Sequence, residues 1–353
     1  MGFILKDKHW LFLFLMVLVC LGQSACKADD LFSSPKGPVL TAPPSKVLFK
    51  KRQHSVFGGQ YGWLAGDASV IKEGKKFLMA YTCHDAYRKI EGTALCIATS
   101  DDGIDWKHPD KKSKTWGRVA KPSEDDWDRA QETSFLLNDK SSHKHLLYYV
   151  GYKGDGFFFS GADVGLAISE DGKSFTRLEE PIIRRGKPGS LDSFGITSPS
   201  IVQHSGVYHM LYVGWCMENC PSKAITHLMY ASSKDGVRWE KHGKLNIDFH
   251  DTPFAFGVAE PEMLLGPDKK WYVFFTSTEG RHVIGIARSY KLTGPWEIRK
   301  EPVFNISSSE FDASGALAPS VLVDGDKVRM WFNGQHKNKI NIGYAEAAWP
   351  LQW

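Results

Sequence analysis

Apolar residues in this chain fall into short runs of about five, set apart by polar turns, with little helical period beyond the N-terminal segment. Runs of this length, rich in Val, Ile, Tyr, Phe and Trp and bounded by Gly, Asp and Lys, predict strands. They follow one another in a repeating order. A first strand opens each unit in Gly66-Asp67-Ala68-Ser69-Val70-Ile71, Gln131-Glu132-Thr133-Ser134-Phe135-Leu136, Thr197-Ser198-Pro199-Ser200-Ile201-Val202, Ala259-Glu260-Pro261-Glu262-Met263-Leu264 and Leu317-Ala318-Pro319-Ser320-Val321-Leu322. Aligned on their second residue, the five place Asp67, Glu132, Ser198, Glu260 and Ala318 at one phase. Their spacing of about 60 residues marks a repeat architecture.

Each unit continues in the same way. The second strand is rich in aromatics, as in Phe77 to Tyr81, Leu146 to Val150, Tyr208 to Val213, Trp271 to Phe275 and Val328 to Phe332. A third strand ends in a turn: Ser100-Asp101-Asp102-Gly103, Ser169-Glu170-Asp171-Gly172 and Ser233-Lys234-Asp235-Gly236, where Asp-Gly supplies the positive φ of a tight turn. The fourth strand opens on an aromatic, namely Trp106, Phe175, Trp239 or Trp296. Small residues in the third strand would let sheets approach, and wide aromatics would fill the wedge between them. The pattern predicts an all-β fold, a five-bladed β-propeller of four-stranded antiparallel blades. The fifth unit runs out before its fourth strand, and Val47 to Lys51 would supply it from the N-terminal side, closing the ring and hiding two edges. The alternative is a β-sandwich with accidental similarity, against which five phased copies weigh.

The first residues read as a targeting segment. Lys6 and Lys8 precede an apolar stretch from Trp10 to Leu21, short for a bilayer span. Ser24-Ala25-Cys26 is similar to a bacterial lipoprotein cleavage box, which would make Cys26 a lipid-anchored residue, with simple secretion as the other outcome. The expected division is 1–26 signal peptide, 27–45 a Pro-rich tether and 46–353 the propeller. A net charge of +4 without a basic block gives little support for nucleic-acid binding or for a membrane contact other than through that anchor. Beyond the leader, Cys83 and Cys96 face each other across a predicted hairpin, and Cys216 and Cys220 share one loop. Export permits two disulfides, and a zinc site is poorly supported by a single x3 spacing. A monomer is expected.

The chemistry of interest is carboxylate chemistry. The innermost strand of a propeller blade starts at the mouth of the central channel, so Asp67, Glu132 and Glu260 would ring one funnel. Cleaving a glycosidic bond needs one carboxyl kept protonated, to donate to the leaving oxygen, and one ionised, to activate water or attack the anomeric carbon. A third negative charge nearby raises the donor's pKa. The Asp residues that precede strand starts, Asp128, Asp192, Asp251 and Asp312, recur in blades with and without such an acid. They read as structural turn or inter-blade groups.

On Gly66-Asp67-Ala68-Ser69-Val70, Glu260-Pro261-Glu262-Met263 and the Ser100 to Trp106 element, the chain resembles the five-bladed propeller glycosidases over about residues 46–353. That group comprises glycoside hydrolase family 43, with its arabinanases and β-xylosidases, and the related invertase-like family 32. The resemblance implies a catalytic base at Asp67 and an acid near Glu260, with inversion in family 43 and retention in the invertase-like relatives. Two departures mark a divergent member. Where the family carries a third carboxylate in blade three, this chain has Ser198, leaving Glu132 as the substitute. The family's acid commonly stands two residues before a Pro, whereas Glu260 directly precedes Pro261, so Glu260, Glu262 and Glu132 all remain candidates for the donor.

Further candidates for sugar contact are Trp63, just before the first catalytic strand, His84, Arg88, Glu279, Arg281 and His336 in or near loops at the funnel mouth, and Glu262, expected on the same strand face as Glu260 but deeper. The resemblance places a blade-five His near a central ion or water cluster. No cofactor is required by this chemistry, and a structural ion near the channel is compatible with it. Two functions follow: an exported glycoside hydrolase acting on an oligo- or polysaccharide, expected to invert, or a carbohydrate-binding propeller without chemistry.

Overall fold

The computed structural model describes residues 47–58, 64–84, 93–107, 119–120, 126–153, 160–217, 219–221, 224–255, 257–278 and 280–352. The leader, the tether and Cys26 lie outside them, as do Trp63, Arg88 and Glu279. His84 is described as a strand position only. The described residues form twenty strands and no helix.

The chain enters on β1 (Lys50–Lys51). Blade one is β2 (Ala65–Glu73), β3 (Lys76–His84), β4 (Thr93–Ser100) and β5 (Trp106–Lys107). Blade two is β6 (Ala130–Asp139), β7 (Lys144–Tyr152), β8 (Asp163–Ser169) and β9 (Thr176–Arg177). Blade three is β10 (Gly195–His204), β11 (Val207–Trp215), β12 (Thr226–Ser233) and β13 (Trp239–Lys244). Blade four is β14 (Val258–Leu265), β15 (Trp271–Ser277), β16 (Ile284–Ser289) and β17 (Glu297–Ile298). Blade five has β18 (Gly315–Asp324), β19 (Lys327–His336) and β20 (Lys339–Ala348), completed by β1. Lys50 lies opposite Glu346 and Lys51 opposite Ala345, both antiparallel, so the N-terminal strand closes the last blade as the repeat count predicted. The innermost strands β2, β6, β10, β14 and β18 touch in cyclic order around the axis.

Burial follows the wedges between blades. One apolar cluster joins blades five and one through Phe77, Met79, Trp106, Trp331 and Tyr344. Others join blades one and two, two and three, three and four, and four and five. Aromatic edges pack across these wedges, as in Trp106 against Trp331 and Tyr148 against Trp239. The third strand makes room for them. Gly165 lies directly across from Tyr149, and a Cβ there would stand 2.5 Å from the phenol ring. Gly343 stands in the same relation to Phe332 in blade five.

The Ser-Asp-Gly turns work as read. Ser100 Oγ accepts from the Gly103 amide at 2.9 Å, and Asp102 Oδ1 accepts from the amides of Ile104 and Asp105 at 2.8 Å each. Those bonds hold the Asp102 carboxyl below its ordinary range. The turns also bond across blades: Trp331 donates to the Gly103 carbonyl at 2.7 Å and Tyr148 to the Gly236 carbonyl at 3.0 Å.

Three of the four pre-strand Asp residues tie the outer edge of a blade to its inner edge. Asp128 accepts from Arg177 of β9, Asp192 from Lys241 of β13 and Asp312 from Lys51 of β1. The fourth, Asp251, is an exposed turn residue beside His250 and makes no such tie among the described residues. The Lys51–Asp312 pair pins the closing strand, with Asp312 fully buried and the Lys51 side chain 11% exposed. Removing one partner of such a pair strands a buried charge, at a cost of about 3–5 kcal/mol. Lys51→Met should lose stability on that scale in chemical denaturation, and adding Asp312→Asn should recover most of it. A loss below about 1 kcal/mol would show that the pair does not secure the closure.

Candidate active site

Each innermost strand breaks register with its neighbour at one place. The breaks fall between Gly66 and Ser69, Glu132 and Phe135, Thr197 and Ser200, Ala259 and Glu262, and Leu317 and Ser320. The first residue inside each break takes a positive φ: Asp67 at 50°, Thr133 at 42°, Ser198 at 53°, Glu260 at 50° and Ala318 at 48°. None is glycine, so each accepts roughly 1–2 kcal/mol of strain. All five line one cavity on the axis, of about 40 Å³. At ~10–15 Å³ per water, that is room for a few waters. It is the throat of the channel.

This geometry corrects the alignment of blade two. Thr133, not Glu132, is the counterpart of Asp67 and Glu260. The cause is Phe135, which occupies a slot held by Ser69, Ser200 and Ser320 in blades one, three and five. An apolar residue there shifts the apparent start of the run by one. The slot has a bonding role. Ser69 Oγ accepts from the Leu136 amide at 2.8 Å, Ser200 Oγ from Met263 at 2.8 Å and Ser320 Oγ from Val70 at 3.0 Å. In blade four Glu262 takes it: Oε1 accepts from the Val321 amide at 3.1 Å and Oε2 from Ser200 Oγ at 3.2 Å. Glu262 lies deeper than Glu260, as expected, but both its oxygens are engaged in joining blades.

The bulge level has its own inter-blade bonds. The Asp67 amide donates to Asn333 Oδ1 at 2.7 Å, and Asn333 Nδ2 returns a bond to Asp67 Oδ1 at 2.8 Å. The Thr133 amide donates to Thr82 Oγ1 at 3.0 Å, and the Ala318 amide to Thr276 Oγ1 at 3.0 Å. Thr82, Thr276 and Asn333 each follow directly on the apolar run of a second strand. That recurrence is the sequence signal that would have found them.

Three carboxyls come together here. Asp67 is raised by burial, against hydrogen bonds from Thr82, Asn333 and the Thr133 amide. Glu132 stands one residue before its bulge and outside the throat lining. Its Oε1 accepts from Thr93 Oγ1 of β4 at 3.0 Å and from the Tyr152 hydroxyl of β7. Burial pushes it up to about 8, with the charge of Asp67 adding to the rise. Glu260 lines the throat. Its Oε2 accepts from Thr276 Oγ1 at 2.7 Å and from the Ala318 amide at 2.9 Å. Burial, then the Asp67 charge, push it up to about 7. Asp67 is thus the common electrostatic neighbour of both glutamates.

The other candidates are placed as follows. Arg281 spends its guanidinium on the carbonyls of Ser307, at 3.1 Å, and Ala313. His336 ends β19 half-buried, its Nδ1 buried and unbonded among the described residues. His282, whose Nδ1 bonds the Ser277 carbonyl at 2.9 Å, is driven down to about 4 by burial and stays neutral. Both expected disulfides are present, Cys83–Cys96 and Cys216–Cys220. The first closes β3 to β4 beside Thr82 and Thr93, the two hydroxyls that serve Asp67 and Glu132.

Burial also pushes Glu262 up to about 8 from 4.5. Between those values the folded protein keeps a proton that the unfolded chain has lost, so this residue lowers stability as pH rises from about 4.5 to about 8. Glu262→Gln removes that share of the slope. It should match the wild type near pH 4 and melt several degrees higher at pH 9, as followed by calorimetry. Equal melting shifts at both pH values would contradict the assignment.

No protein-family profile matches the chain. It is 32% identical to Uncharacterized protein Rv1502 of Mycobacterium tuberculosis H37Rv over 213 residues, 58% of this chain and 68% of that protein. It is 28% identical to a 1,2-beta-oligomannan phosphorylase of Thermoanaerobacter sp. strain X514 over 34% of this chain and 40% of that one. Among solved structures, one described as a glycoside hydrolase superposes with a TM-score of 0.66 at 17% identity, covering 86% of this chain and 95% of its own. A thermostable family-43 glycoside hydrolase gives 0.58 at 16%, over 80% and 88%. A beta-1,2-mannobiose phosphorylase from Listeria innocua gives 0.61 at 12%, over 89% and 94%. These structural likenesses establish a shared fold, the five-bladed propeller of glycoside hydrolases and phosphorylases. The chain belongs to the family of the Mycobacterium tuberculosis protein Rv1502.

Proposed function

We propose that this protein is a glycoside hydrolase that cleaves an oligo- or polysaccharide above the throat of the propeller, with inversion at the anomeric carbon. The observation that carries the reading is the shared electrostatics of Asp67, Glu132 and Glu260. One site holds Asp67, raised by burial but bonded by Asn333 and Thr82, which favour its ionised form, beside Glu132, held largely neutral at pH 7, and Glu260, which titrates near that pH. That is the division of protonation states that glycoside hydrolysis needs. Asp67 takes a proton from a water molecule as the water oxygen bonds to the anomeric carbon. A neutral glutamate gives its proton to the departing glycosidic oxygen, and the carbon–oxygen bond breaks. The two disulfides support a working place in an oxidising compartment outside the cytoplasm.

The relative named as a 1,2-beta-oligomannan phosphorylase favours a second reading. Inorganic phosphate would replace water as nucleophile, the donor's role being unchanged. A panel of aryl glycosides and oligosaccharides, with β-1,2-mannobiose included, assayed with and without phosphate, separates the two. Hydrolysis without phosphate supports the first reading, and strict dependence on phosphate supports the second. Asp67→Asn, Glu132→Gln and Glu260→Gln should each lose activity, by about 10²–10⁴-fold for a residue that transfers a proton. Activity should also fall as pH rises through about 7 to 8, where the donor ionises. Sugar binding with no turnover under any of these conditions would leave a binding propeller and end the enzyme reading.

A further inference from the structure

We infer that Glu132 is the proton donor of this site and that Tyr152 and Thr93 are its positioning residues. Two hydroxyls from adjacent blades hold Oε1, so that Oε2 is the oxygen that carries the proton. The inference rests on the hydrolase reading and refines it.

The three glutamates differ in what their oxygens already do. Glu262 has both engaged by the Val321 amide and Ser200, at the deeper level of the ring. Glu260 gives Oε2 to the main-chain amide of Ala318, which ties it to the next blade, and to Thr276, and it lines the throat as Asp67 does. Glu132 stands outside that throat lining, beside Asp67. Both bonds on its Oε1 come from side-chain hydroxyls, Tyr152 in blade two and Thr93 in blade one. Glu132 and Thr93 are each 1% exposed and Tyr152 is 6%, so the arrangement has little freedom.

In a neutral carboxylic acid the carbonyl oxygen is the better acceptor and the other oxygen carries the hydrogen. Two donors converging on Oε1 make it the carbonyl oxygen and leave the proton on Oε2. As Glu132 gives that proton to the leaving oxygen, negative charge develops on the carboxylate. The same two hydroxyls then become charge-assisted bonds, which strengthen as the charge grows. Their stabilisation is therefore larger in the transition state than in the ground state. The Cys83–Cys96 disulfide staples the hairpin on which Thr82 faces Asp67 and Thr93 faces Glu132, holding base and donor in a fixed relation. Placing the donor between blades one and two also puts the leaving group over that side of the funnel.

Leaving-group dependence tests this. On the sugar that the wild type cleaves, the 2,4-dinitrophenyl glycoside departs without a proton, whereas the methyl glycoside needs one. Glu132→Gln should lose on the order of 10²–10⁴-fold in kcat/KM on the methyl glycoside and far less on the dinitrophenyl one. Asp67→Asn should lose on both. Tyr152→Phe should lose about 10- to 100-fold on the methyl glycoside alone, the scale of one hydrogen bond to a charged group. It should also move the alkaline limb of the pH profile upward, because the ionised form of Glu132 has lost a donor. Thr93→Val should act in the same direction, and Thr93→Ser should restore wild-type behaviour. A selective loss on the methyl glycoside in Glu260→Gln rather than Glu132→Gln would overturn the assignment and leave the hydrolase reading standing. Equal losses on both glycosides in Tyr152→Phe, with an unmoved pH limb, would reduce Tyr152 to a packing role and overturn the positioning claim. A wild type that turns over no glycoside would fail the hydrolase reading itself, and the inference with it.

Discussion

Around the central axis, the innermost strand of each blade breaks its ladder at the same place and puts one non-glycine residue into the left-handed region. The strain is offset by what the bulge makes possible. Amides released from the blade's own ladder are taken up by the neighbouring blade, as when Asp67 bonds Asn333 and Thr133 bonds Thr82. One level deeper, Ser69, Ser200, Glu262 and Ser320 accept the next blade's amide in turn. These bonds cross sheets that elsewhere meet through apolar wedges and the turn bonds of Trp331 and Tyr148. They fix the rotation of each blade about the axis, and so they fix where the bulge side chains stand.

The electrostatics of the site follow from that placement. Asp67, Glu132 and Glu260 come from strands far apart in sequence, yet they share one poorly solvated region. Burial alone raises all three, and the charge of Asp67 raises its two neighbours further. Such a cluster is costly to the fold. It persists because Asn333, Thr82, Thr93, Tyr152 and Thr276 each meet a carboxyl oxygen. Strain and raised acids concentrated at one centre are how a binding or catalytic site usually shows itself.

Much of the architecture was legible because the repeat is regular where it faces the wedges. Aromatic second strands, small third-strand residues and Asp-Gly turns recur with the blade, and the missing last strand pointed to Lys50 and Lys51. Of the site, Asp67 and Glu260 were in phase from the start. Glu132 was displaced by one because Phe135 fills a slot that other blades give to Ser, and periodicity alone reads an apolar residue as part of the core run. Glu262 looked like a second funnel acid, whereas its neighbours make it an inter-blade tie. The hydroxyls on Glu132 could not be read. Thr93 and Tyr152 lie on strands of different blades, and only the ring brings them together.

Asp67 and the two glutamates form one electrostatic unit. Carbon-13 labelling of the side-chain carboxyls, followed through a pH titration by NMR, tests it most directly. The account predicts that Glu132 and Glu260 titrate near 8 and near 7 in the wild type. In Asp67→Asn, where one negative charge is gone, both should move down together, with Glu262 unmoved. Two glutamates that titrate in the ordinary range, or that keep their values when Asp67 is neutralised, would contradict it.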